Sequence, residues 1–309
     1  MRVLIAEDEP VPRLILQSAL EKFGHECLVA EDGLKAWEIF QNTREVDVVI
    51  SDWIMPSVDG LELCRRIRAA EKDGYTYFIF LTALGDKGHL LRGMQEGADD
   101  YLAKPLDPEE LQVRMIAATR VTSLHRQLTE QKAAMFEQAR RDPLTQLGNR
   151  LRLNEDLEVL RGRVERYGHS YCAVLCDVDY FKLYNDSYGH LAGDQTLCTV
   201  ANTLTKYSRS GDAIYRYGGE EFLLIMPEQS LKTAAAAVDL IRRAVEQLAI
   251  PHGANEPLGV VTISAGIATL LPGENKTTDT LLKEADTALY HAKESGRNCA
   301  VVCGDVAPE

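Results

Sequence analysis

Arg216-Tyr217-Gly218-Gly219-Glu220-Glu221-Phe222 sets two adjacent carboxylates behind a glycine pair, between the apolar runs Ala213 to Tyr217 and Phe222 to Met226. Glycine accepts the positive φ of tight two-residue turns, so the pair predicts a hairpin presenting Glu220 and Glu221 at a strand edge. Upstream, Cys176-Asp177-Val178-Asp179-Tyr180-Phe181-Lys182 reads as an apolar strand that ends in acids, with a lysine close behind. Two acid-bearing strand ends beside a cation suit metal-assisted phosphate chemistry, in which hard oxygens hold a divalent ion that, with the lysine, neutralises phosphate. Taken singly, a Gly-Gly hairpin with exposed acids is more often only a solvated turn.

A second constellation lies near the N-terminus. Glu7 and Asp8 follow the apolar run Arg2 to Ala6, and Asp52 follows Val48-Val49-Ile50-Ser51. Thr82 follows Phe78 to Leu81, and Lys104-Pro105 follows Tyr101-Leu102-Ala103. Each alone reads as an ordinary loop residue; together they mark the ends of several strands.

The elements that must position these groups can be read from periodicity. Up to about residue 106, strand-length apolar runs (Arg2 to Ala6, Val46 to Ser51, Tyr77 to Leu81) alternate with helical spacing at Pro12 to Lys22 and Leu61 to Ala70. This rhythm predicts an α/β, doubly wound parallel sheet, whose ligand crevice lies at the carboxyl ends of its strands. Asp107-Pro108 opens a helical stretch running to about Arg140. Along it Val121, Leu124, Leu128 and Met135 form an apolar seam that Gln131 interrupts. Such a stripe can pack on its own domain. Polar surroundings and the absence of a turn favour a two-stranded coiled coil. From Asp142 onward the order is helix, strand, helix, helix, hairpin, helix, strand, helix. Its clearest strands are Ser170 to Asp177, Ala213 to Tyr217, Phe222 to Met226 and Gly259 to Thr269, and its clearest helices Thr196 to Tyr207, Leu231 to Leu248 and Thr280 to Ser295. Antiparallel strands covered by helices make this half α+β. The expected division is residues 1–120, a helical linker at 121–140, and residues 141–309.

The 309 residues suffice for two cores, and 45% hydrophobic with 26% charged residues is ordinary for a soluble globular chain. No apolar run approaches a membrane span and the start enters directly into a strand, so a cytoplasmic location without a membrane partner is expected. A net charge of −13 argues against a general nucleic-acid scaffold, which needs a basic face, yet leaves room for a nucleotide held by local cations. The seven cysteines form no Cys-x-x-Cys pair, and Cys172 and Cys176 fall on one strand face, as reduced buried residues would.

The C-terminal motifs also occur in a recognisable order. Asp142-Pro143-Leu144-Thr145-Gln146-Leu147-Gly148-Asn149-Arg150 comes first, then Asp177-x-Asp179-x-Phe181-Lys182-x-x-Asn185-Asp186 and Gly-Gly-Glu-Glu-Phe. The run from Ala285-Asp286 through Ala288-Leu289-Tyr290 to Lys293, Arg297 and Asn298 closes the series. From about Ala139 to Val302 the chain resembles the GGDEF diguanylate cyclases, in a GGEEF variant. That resemblance implies a palm-like nucleotidyl cyclase fold and the joining of two GTP molecules into cyclic di-GMP. It implies Mg²⁺ or Mn²⁺ at Asp177, Glu220 and the Val178 carbonyl, and phosphate binding by the backbone at Phe181 and Lys182 and by the Lys182, Lys293 and Arg297 side chains. Asn185 and Asp194 would read guanine, with His190 a further nucleotide contact. Glu220 or Glu221 would accept the proton. Lys293 and Arg297 share a face if their helix continues. Arg209-Ser210-Gly211-Asp212 matches an inhibitory product site in Arg209 and Asp212; an Arg and Asp flanking a turn is the plain alternative.

The first 120 residues resemble a response-regulator receiver domain. On that likeness Glu7, Asp8, Asp52 and the Ile54 carbonyl hold Mg²⁺, and Asp52 accepts a phosphoryl group from a histidine kinase. Thr82 and Lys104 would bond the phosphoryl group, and Tyr101 would repack with Thr82. The expected whole is a phosphorylation-regulated cyclase working as a homodimer, because a product with two equivalent bonds needs two facing sites. The rivals are a non-catalytic cyclic di-GMP effector, against which the complete set of acids and cations counts, and a DNA-binding regulator, for which no basic recognition helix follows the receiver.

Overall fold

The computed structural model describes residues 1–43, 45–71, 74–83, 87–274 and 276–304, with the side chains of 83, 87–90 and 165 outside the description. The chain forms two compact units, Met1–Met135 and Phe136–Glu309.

In the first unit the elements are β1 (Arg2–Ala6), α1 (Pro10–Lys22), β2 (Glu26–Ala30), α2 (Gly33–Asn42), β3 (Val48–Asp52), α3 (Gly60–Ala70), β4 (Tyr77–Ala83), α4 (Lys87–Gln95), β5 (Asp100–Lys104) and the first part of α5 (Pro108–Ala139). All strand pairs are parallel, in the order β2-β1-β3-β4-β5. Val3 to Ala6 and Val48 to Ser51 are buried throughout, as strands covered on both faces must be. One cluster joins Leu4, Val49 and Phe78 to α3; the other joins Val3, Ile50 and Ile79 to α1 and to Leu111 and Met115 of α5. The sequence signal for β2 is weak because it is an edge strand, with only Ala30 fully buried.

Helix α5 divides the expected seam. Val121 is half-buried against the first unit's core and Thr122 is buried, so this turn belongs to that unit's packing. Leu124, Leu128 and Met135 are exposed at 65%, 47% and 67%. His125 stacks on Tyr75, with ring centroids 4.1 Å apart, and Arg126 pairs with Asp47 at 2.9 Å.

The second unit contains α6 (Arg150–Tyr167), β6 (Tyr171–Val178), α7 (Phe181–Tyr188), α8 (His190–Tyr207), β7 (Ala213–Arg216), β8 (Glu221–Pro227), α9 (Leu231–Glu246), β9 (Ile263–Leu270), α10 (Thr278–Glu294) and β10 (Ala300–Val302). The sheet order is β10-β9-β6-β8-β7, with β6 central, antiparallel to β8 and β9, and β10 parallel to β9. Strand β6 is buried along its whole length. Cys172, Val174, Cys176 and Val178 face the core formed with α7, α8 and α9, while Tyr171, Ala173 and Leu175 face α6 and α10. The seven cysteines are all free thiols.

Three local expectations change. Strand β9 begins at Ile263, because 259–262 form a loop in which Val261 and Thr262 are already buried. Helix α10 ends at Glu294, and Gly296, Arg297 and Asn298 all have positive φ. Lys293 and Arg297 therefore do not share a helix face. Finally, the hairpin turn is Gly218-Gly219-Glu220-Glu221, closed by Glu221 N–H to Gly218 O at 3.4 Å, and neither glycine has a positive φ. Gly218 answers a close approach instead: a Cβ there would lie 2.7 Å from the Glu221 carboxylate.

Candidate active site and phosphoacceptor site

Strand β6 delivers Asp177, 6% exposed, to the end of the sheet, directly opposite Glu221 on β8. The Val178 N–H donates to the Glu220 carbonyl at 3.3 Å, which ties the hairpin turn to the same strand end. Arg216 braces the turn from the other side, donating to Gly219 O and pairing with Asp142 at 3.1 Å. Asp142 in turn accepts from the Thr145 N–H and hydroxyl, so the first C-terminal motif is a support for the hairpin. Lys293 reaches back from α10 to pair with Asp177 at 2.9 Å. Burial pushes the Asp177 carboxyl up to about 6; Lys293 opposes the rise, and the neighbouring Glu220 and Glu221 charges add to it. A buried acid among like charges, with an ammonium drawn onto it, is a place that suits a cation. Asp177 and Glu220 have the hard oxygens that Mg²⁺ or Mn²⁺ takes.

After Asp177 the chain turns sharply. Tyr180 is left-handed (φ 55°, ψ 29°) and caps α7, so a left-handed residue is followed by helical Phe181 and Lys182. Successive N–H groups in such a pair of conformations form a concave anion site at a helix start. Phe181 is buried and stacked on Tyr184, while Lys182 is exposed at the rim. Arg297 lies 4.1 Å over the Tyr180 ring and donates to its hydroxyl at 2.9 Å. The structure thus brings Arg297 to the Tyr180 turn by a loop rather than by helix continuation.

Asn185 on α7 has a buried carbonyl oxygen without a hydrogen-bond partner. A Cβ on Gly193 would come within 1.9 Å of that oxygen, so any side chain there must push the Asn185 amide aside. Asp194, next in the chain, and His190, first in α8, are both exposed. Asn185 Oδ1 has no partner and the Asp194 carboxylate is exposed, so both keep acceptor capacity for N–H donors.

Arg209 and Asp212 form a closed turn, in which the Arg209 N–H donates to the Asp212 carboxylate at 2.8 Å and the Asp212 N–H to Arg209 O at 3.0 Å. The Arg209 residue is exposed.

In the first unit Glu7, fully buried, and Asp8 and Asp52 have carboxylate oxygens within 4.8 Å of one another. Lys104 pairs with Asp52 at 2.7 Å and with Glu7 at 2.9 Å. Burial raises the Glu7 pKa, Lys104 opposes the rise, and Asp52 adds to it. The Trp53 N–H donates to Asp52 at 2.7 Å, and the chain then passes Ile54, whose side chain is 74% exposed. Thr82 stands one residue beyond Leu81, the register partner of Asp52. Tyr101 is exposed at 36% under the Arg114 guanidinium.

Sequence reasoning passed over Asp179, although it is only 1% exposed and accepts hydrogen bonds from Thr262, Ser264 and Asn298. Its partners lie far along the chain, and only its place in an Asp-x-Asp pair set it apart. His252, fully buried with Nε2 3.3 Å from Tyr180 O, had no signal at all.

Residues 139–299 match the family described as diguanylate cyclase, GGDEF domain, and residues 3–116 match the response regulator receiver domain. The chain is 34% identical over 307 residues to the response regulator PleD of Caulobacter vibrioides, covering 97% of this chain and 65% of PleD. It is 39% identical over 176 residues to the diguanylate cyclase DgcP of Pseudomonas aeruginosa, covering 57% of this chain but 25% of DgcP. Among solved structures, the coiled coil and GGDEF domain of DgcB from Caulobacter crescentus, in complex with c-di-GMP, superposes with a TM-score of 0.55. That likeness has 31% identity and covers 62% of this chain and 98% of the other. Diguanylate cyclase SiaD from Pseudomonas aeruginosa, in complex with its activator SiaC, gives 0.51 at 35% identity over 63% of this chain and 74% of SiaD. With both family matches in chain order over the two units, the chain belongs to the GGDEF diguanylate cyclase family, with a response regulator receiver domain ahead of its GGDEF domain.

Proposed function

We propose that this protein is a phosphorylation-regulated diguanylate cyclase that joins two GTP into cyclic di-GMP and two pyrophosphates. The observation that carries the reading is the convergence at one end of β6: Asp177 paired with Lys293, the Glu220 turn tied to Val178, and the phosphate turn at Tyr180 to Lys182 with Arg297 beside it.

On this reading the N–H groups at Phe181 and Lys182, with the Lys182, Lys293 and Arg297 cations, hold the triphosphate of one GTP. Asn185 and Asp194 accept from the guanine N–H edge, which adenine cannot offer at the same place, and His190 is a further contact. The 3′-hydroxyl of the other GTP attacks the α-phosphorus in line. The new P–O bond forms as the bond to pyrophosphate breaks, and the hydroxyl proton passes to Glu220 or Glu221. Mg²⁺ or Mn²⁺, held by Asp177, Glu220 and the Val178 carbonyl, would supply charge neutralisation at the phosphates. A second attack with the roles exchanged closes the ring, so two GGDEF domains must face each other. The exposed row Leu124, Leu128 and Met135 supports a homodimer through a coiled coil.

In the receiver, Glu7, Asp8, Asp52 and the Ile54 carbonyl would hold Mg²⁺, and Asp52 would take phosphate from a histidine kinase. Thr82 and Lys104 would then bond the phosphoryl oxygens. Product inhibition is assigned to Arg209 and Asp212, whose side chains would bind guanine once the Asp212 carboxylate leaves its own turn. Among the described residues no helix is long and apolar enough to cross a membrane.

The test is to incubate the purified protein with GTP and Mg²⁺, with and without acetyl phosphate, and identify the nucleotides formed. Cyclic di-GMP and pyrophosphate are expected, with a faster rate after acetyl phosphate. Binding of cyclic di-GMP without any turnover of GTP would refute the enzyme reading in favour of an effector.

A further inference from the structure

Asp179 is a carboxylate that the chemistry above does not use. It is 1% exposed, and its surroundings are a built acceptor site. Oδ1 accepts from the Ser264 hydroxyl at 2.6 Å, and Oδ2 accepts from the Thr262 hydroxyl at 2.6 Å and from the Asn298 N–H at 3.1 Å. Its own N–H donates to Thr262 O at 3.0 Å. Thr262 and Ser264 are themselves fully buried, and the Asn255 amide holds the Thr262 hydroxyl at 3.0 Å. The carboxylate is therefore fixed to β9 and its preceding loop, and from there it reaches the residue after Arg297.

Both segments it touches are strained. Tyr180, immediately after Asp179, has φ 55°, and Arg297 and Asn298 have φ 60° and 46°. Non-glycine residues in the left-handed region cost roughly 1–2 kcal/mol each and persist only where the surroundings over-determine them. Those surroundings are visible: His252 on the Tyr180 carbonyl, Arg242 on the Asn298 side chain at 2.7 Å, and Asp179 between the two segments. An ionised carboxylate is acceptor-only and can take three donors together; alanine offers none.

We infer that Asp179 is a positioning residue for phosphate recognition, locking the Tyr180–Lys182 turn and the Arg297 loop in register so that backbone N–H groups and guanidinium meet one triphosphate. The inference rests on the cyclase reading of the site. It also explains why Arg297 acts from a positive-φ loop: the loop is held by its Asn298 N–H to the strand end that carries the turn, and the Tyr180 ring fills the gap between.

The test uses the full chain and 3′-deoxy-GTP, which keeps the triphosphate and base but lacks the attacking hydroxyl, so binding is measured by calorimetry without reaction. Asp179→Ala should weaken this binding and raise KM for GTP by about tenfold or more, the size of one lost charge-assisted hydrogen bond, with a smaller change in kcat. Asp179→Asn should restore both to within about threefold, because its amide oxygen can keep the Oδ2 partners while its NH₂ meets a hydroxyl that can accept. In an Arg297→Ala background the added cost of Asp179→Ala should shrink markedly, since the two act on one contact. Thr262→Val, nearly isosteric, loosens the same carboxylate and should raise KM in the same direction even if Asp179→Ala does not fold. A wild-type protein that neither binds 3′-deoxy-GTP nor forms cyclic di-GMP would defeat the cyclase reading itself. A wild type that does both, with a folded Asp179→Ala or Thr262→Val variant of lowered Tm but unchanged nucleotide affinity, would reduce Asp179 to a structural tie and overturn the inference.

Discussion

Gly193→Ala separates recognition of the base from stability of the fold. Gly193 lies in the first turns of α8, where alanine would ordinarily gain about 1 kcal/mol of helix propensity. A Cβ at this position would sit 1.9 Å from Asn185 Oδ1 and 3.0 Å from its Cγ, where ordinary contact begins at 3.4 Å. The Asn185 amide must therefore move by about 1.5 Å or change rotamer, which costs on the order of 1 kcal/mol and roughly cancels the propensity gain. Little change in Tm is expected. The functional effect should be larger, because the displaced oxygen is the buried acceptor assigned to the guanine edge. Losing one such hydrogen bond, with a neighbouring Asp194 contact disturbed, is worth roughly 1.5–3 kcal/mol, or about 10- to 100-fold in kcat/KM for GTP. The assay is initial-rate pyrophosphate release against GTP concentration, with thermal unfolding recorded on the same preparation. A folded Gly193→Ala enzyme with kcat/KM within about threefold of wild type would refute the claim that Asn185 reads the base.

The remaining predictions concern the metal, the product and the receiver. Asp177 has its pKa raised to about 6, so in the metal-free protein its stabilising share is present below the ordinary carboxylate range and lost as pH rises through about 6. Added Mg²⁺ or Mn²⁺ should therefore raise Tm more at about pH 7.5 than at about pH 5, and Glu220→Gln should flatten the difference and remove most activity; an equal rise at both pH values would contradict the assignment. Arg209→Ala should keep the initial velocity but lose the plateau caused by accumulated cyclic di-GMP, measured on progress curves with and without added product. Beryllofluoride or acetyl phosphate should raise activity, Asp52→Asn should abolish the rise, and Leu124→Glu should weaken it together with the dimer fraction seen by light scattering. Full activation of a monomeric Leu124→Glu protein would exclude dimer formation as the route.

Groups that mark the ends of regular elements were legible in the sequence. Glu7, Asp8, Asp52 and Lys104 stand where buried apolar runs stop, and a parallel sheet gathers those stops at one edge. Asp177 and Glu221 were legible for the same reason, since β6 and β8 are clean apolar strands that end side by side. Irregular backbone was not. The glycine pair predicted positive φ at the hairpin, but the turn has none there, and Gly218 instead makes room for a carboxylate. Spacing placed Lys293 and Arg297 on one helix, whereas positive φ at Gly296, Arg297 and Asn298 turns the chain out of it. A left-handed conformation at arginine or tyrosine has no local sequence signature, because its cost is met by partners from elsewhere in the chain.

Those distant partners also give the site its organisation. Asp177 and the groups assigned to the base lie on a strand end and on paired helices, whose geometry follows from packing, while Glu220 lies in a hairpin turn braced by the Asp142–Arg216 pair. Apart from Lys293 on α10, the groups assigned to phosphate lie at two left-handed turns, and such strained segments keep a geometry only when polar partners outside them hold it. His252 does this for Tyr180, and Arg242 with Asp179 for Asn298. Substitutions among these supports should therefore shift nucleotide affinity while leaving the acids of β6 and the hairpin in place, whereas substitutions at Asp177 or Glu220 should remove metal dependence and leave the phosphate turn intact. Such a split requires the two halves of the site to be held by separate networks. Asp179, two residues from Asp177 along the same backbone, is where that separation is most exposed to test.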